Sequence, residues 1–218
     1  MKVGTDGVLL GAWCSLENYP KTILDIGTGT GIISLMLAQR SSAISIDGVE
    51  IDKSAFEQTV DNFEWSDRLY CYNTSFQKFV DESNNEGIKY DLIVSNPPFY
   101  KEDYITKNIS RNKARFSQFL SFKELIQGVS KILSKSGFFS TIIPFKEESA
   151  FIGLAQQNSL FLNKLCRVKG NKNSEIKRCL LTFSFNKKAT KETNLIIENS
   201  RHKYTNEYAE LTNSFYLK

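Results

Sequence analysis

Three clusters in this chain combine residue types and spacings that could do chemistry. Asp25-Ile-Gly27-Thr-Gly29-Thr-Gly31 follows an apolar run and opens a helical one. Glycines permit a tight turn and let a ligand approach the backbone closely. Between a strand and a helix, such a turn lies at the crevice outside the carboxyl ends of the strands, where ligands bind. A dinucleotide fingerprint needs G-x-G-x-x-G/A, and position 32 is Ile. Glu50 ends the next apolar run, 19 residues beyond Gly31. A carboxylate there can accept hydrogen bonds from both hydroxyls of a ribose, with Ile51 placed to pack on its base. Ser95-Asn96-Pro97-Pro98-Phe99 closes a later apolar run. Proline cannot donate to a ladder, so that strand must stop and leave a stiff turn. None of these clusters contains His, Cys or Lys.

The elements that position them alternate. Lys21 to Ile26 reads as a buried strand and Ile32 to Arg40 as a helix, followed by a strand over Ile44 to Glu50. Ser54 to Trp65 is helical, with Phe56, Val60 and Phe63 on one face; strands follow at Leu69 to Asn73 and Tyr90 to Ser95. Asp81 to Gly87 reads as a polar loop, and Lys101 to Asn112 as a longer polar segment. Phe122 to Leu133 is helical, Gly137 to Ile143 a strand, Lys146 to Gln157 helical. Leu160 to Val168 and Ile176 to Phe185 form two strands around the turn Gly170 to Asn173, and Tyr208, Leu211 and Phe215 mark a closing helix. Such alternation predicts an α/β, doubly wound, mostly parallel sheet covered on both faces. Seven strands are expected, with an antiparallel hairpin at one edge. The whole of 1–218 reads as a single domain, with a ligand-cradling part over about 1–95 and a partner-facing part over about 96–218.

Charge separates the two parts. Residues 1–100 hold 7 Lys/Arg and 14 Asp/Glu, whereas 101–218 hold 21 and 10. The stretch 164–191 carries nine basic residues against one acid, Glu175. That imbalance suits a polyanion, most simply nucleic acid. No apolar run reaches membrane-spanning length, so no membrane association is expected. No secretory signal is visible, and the scattered cysteines Cys14, Cys71, Cys166 and Cys179 suggest neither disulfides nor a metal site. A cytoplasmic monomer is the expectation. Trp13 and Trp65 are expected in the core, His202 at the surface, and Asp91 as a turn or cap group.

The D-x-G-x-G-x-G run resembles motif I of the class I, Rossmann-like S-adenosylmethionine-dependent methyltransferases. Asn96-Pro97-Pro98-Phe99 resembles their N-P-P-[FY] motif IV, found in enzymes that methylate exocyclic amino or amide nitrogen. Physics accounts for these residue types. A purine amine is a poor nucleophile because its lone pair is delocalised into the ring. The Asn96 amide oxygen and the Pro97 carbonyl can each accept one N–H, fixing the amine and localising the pair as the new bond forms. Phe99 would stack on the base.

Met1 to Trp13, with Gly4-Thr5-Asp6-Gly7 near its start, is similar to the segment preceding motif I in bacterial tRNA methyltransferases that act on adenine N6 at position 37 of valine tRNA. Met36 to Arg40 and Tyr208 to Tyr216 extend the likeness. The resemblance implies S-adenosylmethionine as cofactor and tRNA as partner. It puts Lys2, Gly4, Thr5 and Asp6 at the cofactor's methionine end. Asp25, Gly27, Gly29, Gly31, Glu50, Ile51, Ser75, Phe76 and Asn96 complete that site, with Ser75 where relatives carry an acid for the adenine amine. Asn96, Pro97, Pro98 and Phe99 would be catalytic. Phe99, Tyr100, Lys101, Lys107, Arg111, Lys113 and Arg115 would meet the RNA. Relatives carry a further basic and aromatic stretch ahead of the residue matching Met1, a stretch that could grip RNA or close the cofactor site. Rival expectations are a guanine-N2 methyltransferase of ribosomal RNA, a release-factor glutamine-N5 methyltransferase, and a catalytically silent RNA-binding module.

Overall fold

Buried apolar runs bounded by turn residues set the centre of the molecule. The computed structural model describes residues 4–98 and 120–215. Strands β1 (Thr22–Ile26), β2 (Ser45–Glu50) and β4 (Tyr90–Ser95) are buried over nearly their whole length, as expected for parallel strands covered on both faces. With β3 (Leu69–Asn73) and β5 (Leu133–Pro144) they form a parallel set. β6 (Phe161–Asn171), β7 (Ile176–Ser184), β8 (Lys191–Ser200) and β9 (Lys203–Tyr204) complete a nine-stranded sheet in the order β3-β2-β1-β4-β5-β7-β6-β8-β9. The strand order reverses at β1, which has β2 on one side and β4 on the other. The crevice of a doubly wound sheet opens there, at the carboxyl ends of the strands.

Side chains alternate across the sheet and feed two cores. Leu24, Ile26 and Ile93 face a cluster built with α4 (Phe76–Asn85), α5 (Phe122–Ile132) and α6 (Glu148–Gln157). Ile23, Leu92 and Val94 face one built with α1 (Thr5–Trp13), α2 (Ile32–Arg40), Phe63 of α3 (Lys53–Phe63) and Tyr208 of α7 (Asn206–Thr212). Trp13 packs against this second cluster. Asp91 clamps the far end of the sheet: Oδ2 accepts the Lys21 N–H at 3.0 Å and Oδ1 the Ser134 hydroxyl at 3.0 Å.

Five expectations need correction, the first being the strand count, which is nine rather than seven. The β6–β7 hairpin is not at the edge: β7 inserts between β5 and β6, β8 adds parallel to β6, and β9 adds antiparallel to β8. β8 escapes a hydrophobic-pattern reading because only Leu195 along it is buried; its strand character comes from backbone pairing with β6. The supposed loop over 81–87 is largely the second half of α4, whose buried Phe76, Phe79, Val80 and Ser83 keep helical spacing beneath a polar outer face. β5 begins at Leu133, directly on the end of α5, with a bulge against β4. Trp65 is 62% exposed rather than in the core, while His202 lies at the surface.

Candidate active site

The glycine turn is built from beneath by a buried carboxylate. Asp25 is fully buried; its Oδ2 accepts the hydroxyls of Thr28 and Ser34, each at 2.8 Å. Burial pushes its carboxyl up to about 6. Asp25 is therefore an internal brace of the turn rather than a surface offered to a ligand, although Oδ1, also buried, has no partner among the described residues. Gly27 and Thr28 donate backbone N–H groups to the Val49 carbonyl at 2.9 and 3.2 Å, tying the turn to β2. Gly27, Gly29 and Gly31 all have positive φ, at 69, 63 and 80°. A Cβ on Gly31 would lie 2.5 Å from Phe63 Cε1, whereas one on Gly27 would meet nothing within 4 Å. Gly31 is thus glycine for packing, and Gly27 borders open space.

Glu50 closes the turn from the neighbouring strand. Its Oε2 accepts the Gly29 N–H at 2.9 Å and its Oε1 the Asp52 N–H at 2.8 Å. Each carboxylate oxygen keeps a second acceptor site. Thr59 and Asn62, one turn apart on α3, hold the Gly29 and Thr30 carbonyls at 2.6 and 2.9 Å. Asn73 Nδ2 donates to the Glu50 and Ile51 carbonyls at 2.9 and 3.3 Å. Ile51, at 55% exposure, presents an uncovered apolar face beside this carboxylate. Sequence reasoning missed Thr28, Ser34, Thr59, Asn62 and Asn73. The only signal was hydroxyl and amide residues at spacings that bring them back to the turn.

Ser75 and Phe76 stand at the start of α4. The Ser75 hydroxyl caps α4, accepting the Lys78 N–H at 3.3 Å. Phe76 is 5% exposed, with its ring against Gly128 of α5, so its side chain belongs to the core and cannot line a ligand. What it can offer is its backbone N–H, one of the first-turn donors that helix geometry leaves without an intrahelical partner.

The second motif meets the first across one rung of the sheet. Ser95 pairs with Ile26, the residue before Gly27. The Ser95 hydroxyl donates to the Ile26 carbonyl at 3.0 Å, and the Thr141 hydroxyl donates to the Ser95 carbonyl at 2.8 Å. Both side chains are buried, so the backbone entering Asn96 is held from two strands. Asn96 itself is half-buried, and its side chain makes no hydrogen bond among the described residues. Pro97 is buried and Pro98 exposed. Burial pushes the thiols of Cys14 and Cys71 up to about 11 and about 12, so neither supplies a thiolate nucleophile near neutral pH.

Gly4 and Thr5 are exposed at the start of α1. Asp6 is paired with Arg178, its Oδ2 accepting from Nε at 2.8 Å. Arg178 lies opposite Pro144, at the carboxyl end of β5, so this pair shares the sheet edge of Asn96. Lys2, Phe99, Tyr100, Lys101, Lys107, Arg111, Lys113 and Arg115 lie outside the described residues.

The arrangement is a turn with open space at Gly27, an acceptor-rich carboxylate, an exposed apolar side chain and an unengaged amide on a fixed turn. It fits a nucleoside-bearing cofactor beside a planar nitrogen substrate.

Comparison with known proteins agrees. Residues 9–118 match the methyltransferase small domain family. The chain is 55% identical to the tRNA1(Val) (adenine(37)-N6)-methyltransferase of Christiangramia forsetii, across 100% of this chain and 92% of the relative. It is 42% identical to the same-named enzyme of Bacteroides fragilis, with the same coverage. Among solved structures, a protein of Agrobacterium tumefaciens described as a predicted O-methyltransferase superimposes with a TM-score of 0.71 at 17% identity, over 96% of both chains. The N-methyltransferase NodS of Bradyrhizobium japonicum does so with a TM-score of 0.55 at 15% identity, over 80% of this chain and 90% of that one. At those identities the likeness speaks for the fold, a Rossmann-like class I methyltransferase.

Proposed function

The chain belongs to the methyltransferase small domain family and, within it, to the tRNA1(Val) (adenine(37)-N6)-methyltransferases, and we propose that it transfers a methyl group from S-adenosylmethionine to the exocyclic N6 of adenine 37 in valine tRNA. The observation that carries this reading is the Asn96 side chain: half-buried, without a partner among the described residues, on a turn fixed by Ser95 and Thr141.

S-adenosylmethionine, when bound, supplies a methyl group made electrophilic by its sulfonium. The chain's own residues do the rest. Gly27 would let the cofactor lie against the backbone, Glu50 would accept from the ribose hydroxyls with its remaining lone pairs, and Ile51 would cover one face of the adenine ring. The Phe76 N–H and the Ser75 hydroxyl would meet that ring's polar edge. Gly4, Thr5 and Asp6 would border the methionine end. The target base must leave its stack to reach the crevice. There the Asn96 Oδ1 and the Pro97 carbonyl would each accept one N–H of the amine. These bonds strengthen as positive charge develops on the nitrogen, so they favour the transition state over the ground state. The nitrogen's proton passes to solvent water after methylation, when the group is strongly acidic, so no strong base is required. We place the enzyme in the cytoplasm with its tRNA, as a monomer.

Relatives at 55% and 42% identity favour tRNA adenine over ribosomal guanine or a release-factor glutamine. The test is labelled-methyl transfer to total tRNA, ribosomal RNA and release factor, followed by nucleoside analysis. Label is expected as N6-methyladenosine in tRNA. Label recovered only in protein or as methylguanosine overturns the assignment.

A further inference from the structure

Ladder registers show that one end of the sheet projects past the active-site turn. Ser95 shares its row with Thr141, Leu181, Leu165 and Glu192 on successive strands. β5 ends at Pro144, in the row of Arg178 and Val168, but β6 continues to Asn171 and β8 to Ser200. At the strand rise, the β6 tip stands roughly 20 Å beyond the Ser95 row and about 10 Å beyond the end of β5.

The basic residues of β6, β7 and β9, and of the turns that follow β6 and β8, divide into two sets. One set is engaged within the protein. Lys164 pairs with Glu17 at 2.9 Å, Arg167 with Glu148 at 2.6 Å and Glu192 at 3.0 Å, and Arg178 with Asp6 at 2.8 Å. The other set is Lys169, Lys172, Lys177, Arg201 and Lys203. Among the described residues none of these five forms an ion pair. All five sit on the projecting tip, where the acids are Glu175 and Glu198. Charges that guard a sheet edge against aggregation run along the outer strand. Here three of the five are on β6, β7 and the turn between them, which are interior to the sheet. Phe145, 39% exposed directly after β5, and Tyr204, 52% exposed on β9, add aromatic surface on which unpaired bases can stack.

We propose that this tip, through Lys169, Lys172, Lys177, Arg201 and Lys203, is the surface that holds the phosphate backbone of the tRNA while the target base occupies the crevice. The inference rests on the tRNA reading above and deepens it by naming the grip. Phosphate contacts of this kind fix register and orientation without reading sequence.

The test compares two charge-matched triple variants of the full chain. Lys169→Glu/Lys172→Glu/Lys177→Glu changes the tip; Lys21→Glu/Lys135→Glu/Lys188→Glu changes the opposite edge by the same net charge. Binding of valine tRNA is followed by fluorescence anisotropy across a salt series, S-adenosylmethionine binding by calorimetry, and methyl transfer by label. The tip variant is expected to bind tRNA at least 10-fold more weakly and to lose turnover through KM. Its slope of log affinity against log salt should be shallower by about 2–3, at roughly 0.7–0.9 for each phosphate no longer neutralised. Cofactor affinity should be unchanged, which also reports an intact fold. The opposite-edge variant should stay within twofold of wild type. Equal tRNA affinity in the tip variant and wild type, or equal losses in both variants, overturns the proposal. A Lys169→Gln/Lys172→Gln/Lys177→Gln variant covers misfolding of the glutamates and should lose affinity in the same direction. Failure of the tRNA reading shows separately, as a wild-type chain that leaves tRNA adenine unmethylated.

Discussion

The backbone N–H of Gly29 donates to Glu50 Oε2 at 2.9 Å, so the residue proposed to hold the cofactor's ribose also holds the glycine turn in shape. With the Asp52 N–H on the other oxygen, both carboxylate oxygens face donors. Glu50→Gln would turn an amide N–H against one of those donors. Loss of a hydrogen bond to a charged acceptor amounts to about 1.5–3 kcal/mol. S-adenosylmethionine affinity should fall about 10- to 100-fold, measured by calorimetry, with a smaller fall in thermal midpoint.

Asn96→Ala should separate binding from chemistry. Removing one preorganised partner of a transition-state charge lowers kcat by about 10²–10³. Single-turnover methyl transfer to valine tRNA should slow by that order while cofactor affinity moves less than threefold. A kcat within threefold of wild type would remove Asn96 from its proposed role.

Thr141→Val keeps shape but leaves the buried Ser95 carbonyl without its hydroxyl donor. An unsatisfied buried acceptor costs about 1–3 kcal/mol. Denaturant unfolding should show a loss of that order. Turnover should drop more than cofactor affinity, because the turn released is the one that carries Asn96.

Two glycines of one turn should fail differently on replacement by alanine. Both positions have positive φ, which costs an L-residue about 1–2 kcal/mol. At Gly31 the new methyl also strikes Phe63, 2.5 Å away, so Gly31→Ala should lose more stability. At Gly27 the methyl enters open space, so Gly27→Ala should stay folded yet lose cofactor affinity at least 10-fold by calorimetry.

Asp25 sets a pH dependence of stability. Its carboxyl is raised by burial from 3.8 to about 6, and burial also raises Asp47, whose carboxylate accepts the Tyr90 hydroxyl at 2.6 Å. Between about pH 4 and 6 Asp25 therefore binds more proton in the native state than in the unfolded chain, and its contribution to stability falls as pH rises through that window. The thermal midpoint should be higher at pH 5 than at pH 7. Asp25→Asn should flatten that difference, leaving the share of Asp47.

Elements with strong periodicity or sharp punctuation were legible in the sequence. Ile32–Arg40, Leu69–Asn73 and Tyr90–Ser95 fall where apolar spacing and the flanking Gly, Asn and Pro residues put them. β8 was not legible, because a strand held by backbone pairing with one buried side chain leaves almost no hydrophobic pattern. The polar half of α4 was hidden for a related reason: Asp81, Glu82, Asn84 and Asn85 face outward, and the helix continues because Val80 and Ser83 are buried. At the site, residue types singled out Gly27, Glu50 and Asn96 as candidates, but could not distinguish a residue that touches a ligand from one that braces its neighbours. Asp25 is buried beneath the turn and Phe76 turns its ring into the core, placements that residue type alone does not show. Orientation relative to the turn depends on which sheet face each side chain takes, and that follows from register between strands distant in sequence.

The rung joining Ile26 to Ser95 spans 69 positions of the chain. During synthesis, β1 therefore emerges with one flank open until β4 has been made and inserted beside it. A bare strand flank is a template for pairing with other chains, and long-range pairing is slow. The glycine turn rests on β1 and β2, which are near in sequence, whereas the turn that carries Asn96 takes its place only once the polypeptide has doubled back to lay β4 beside β1.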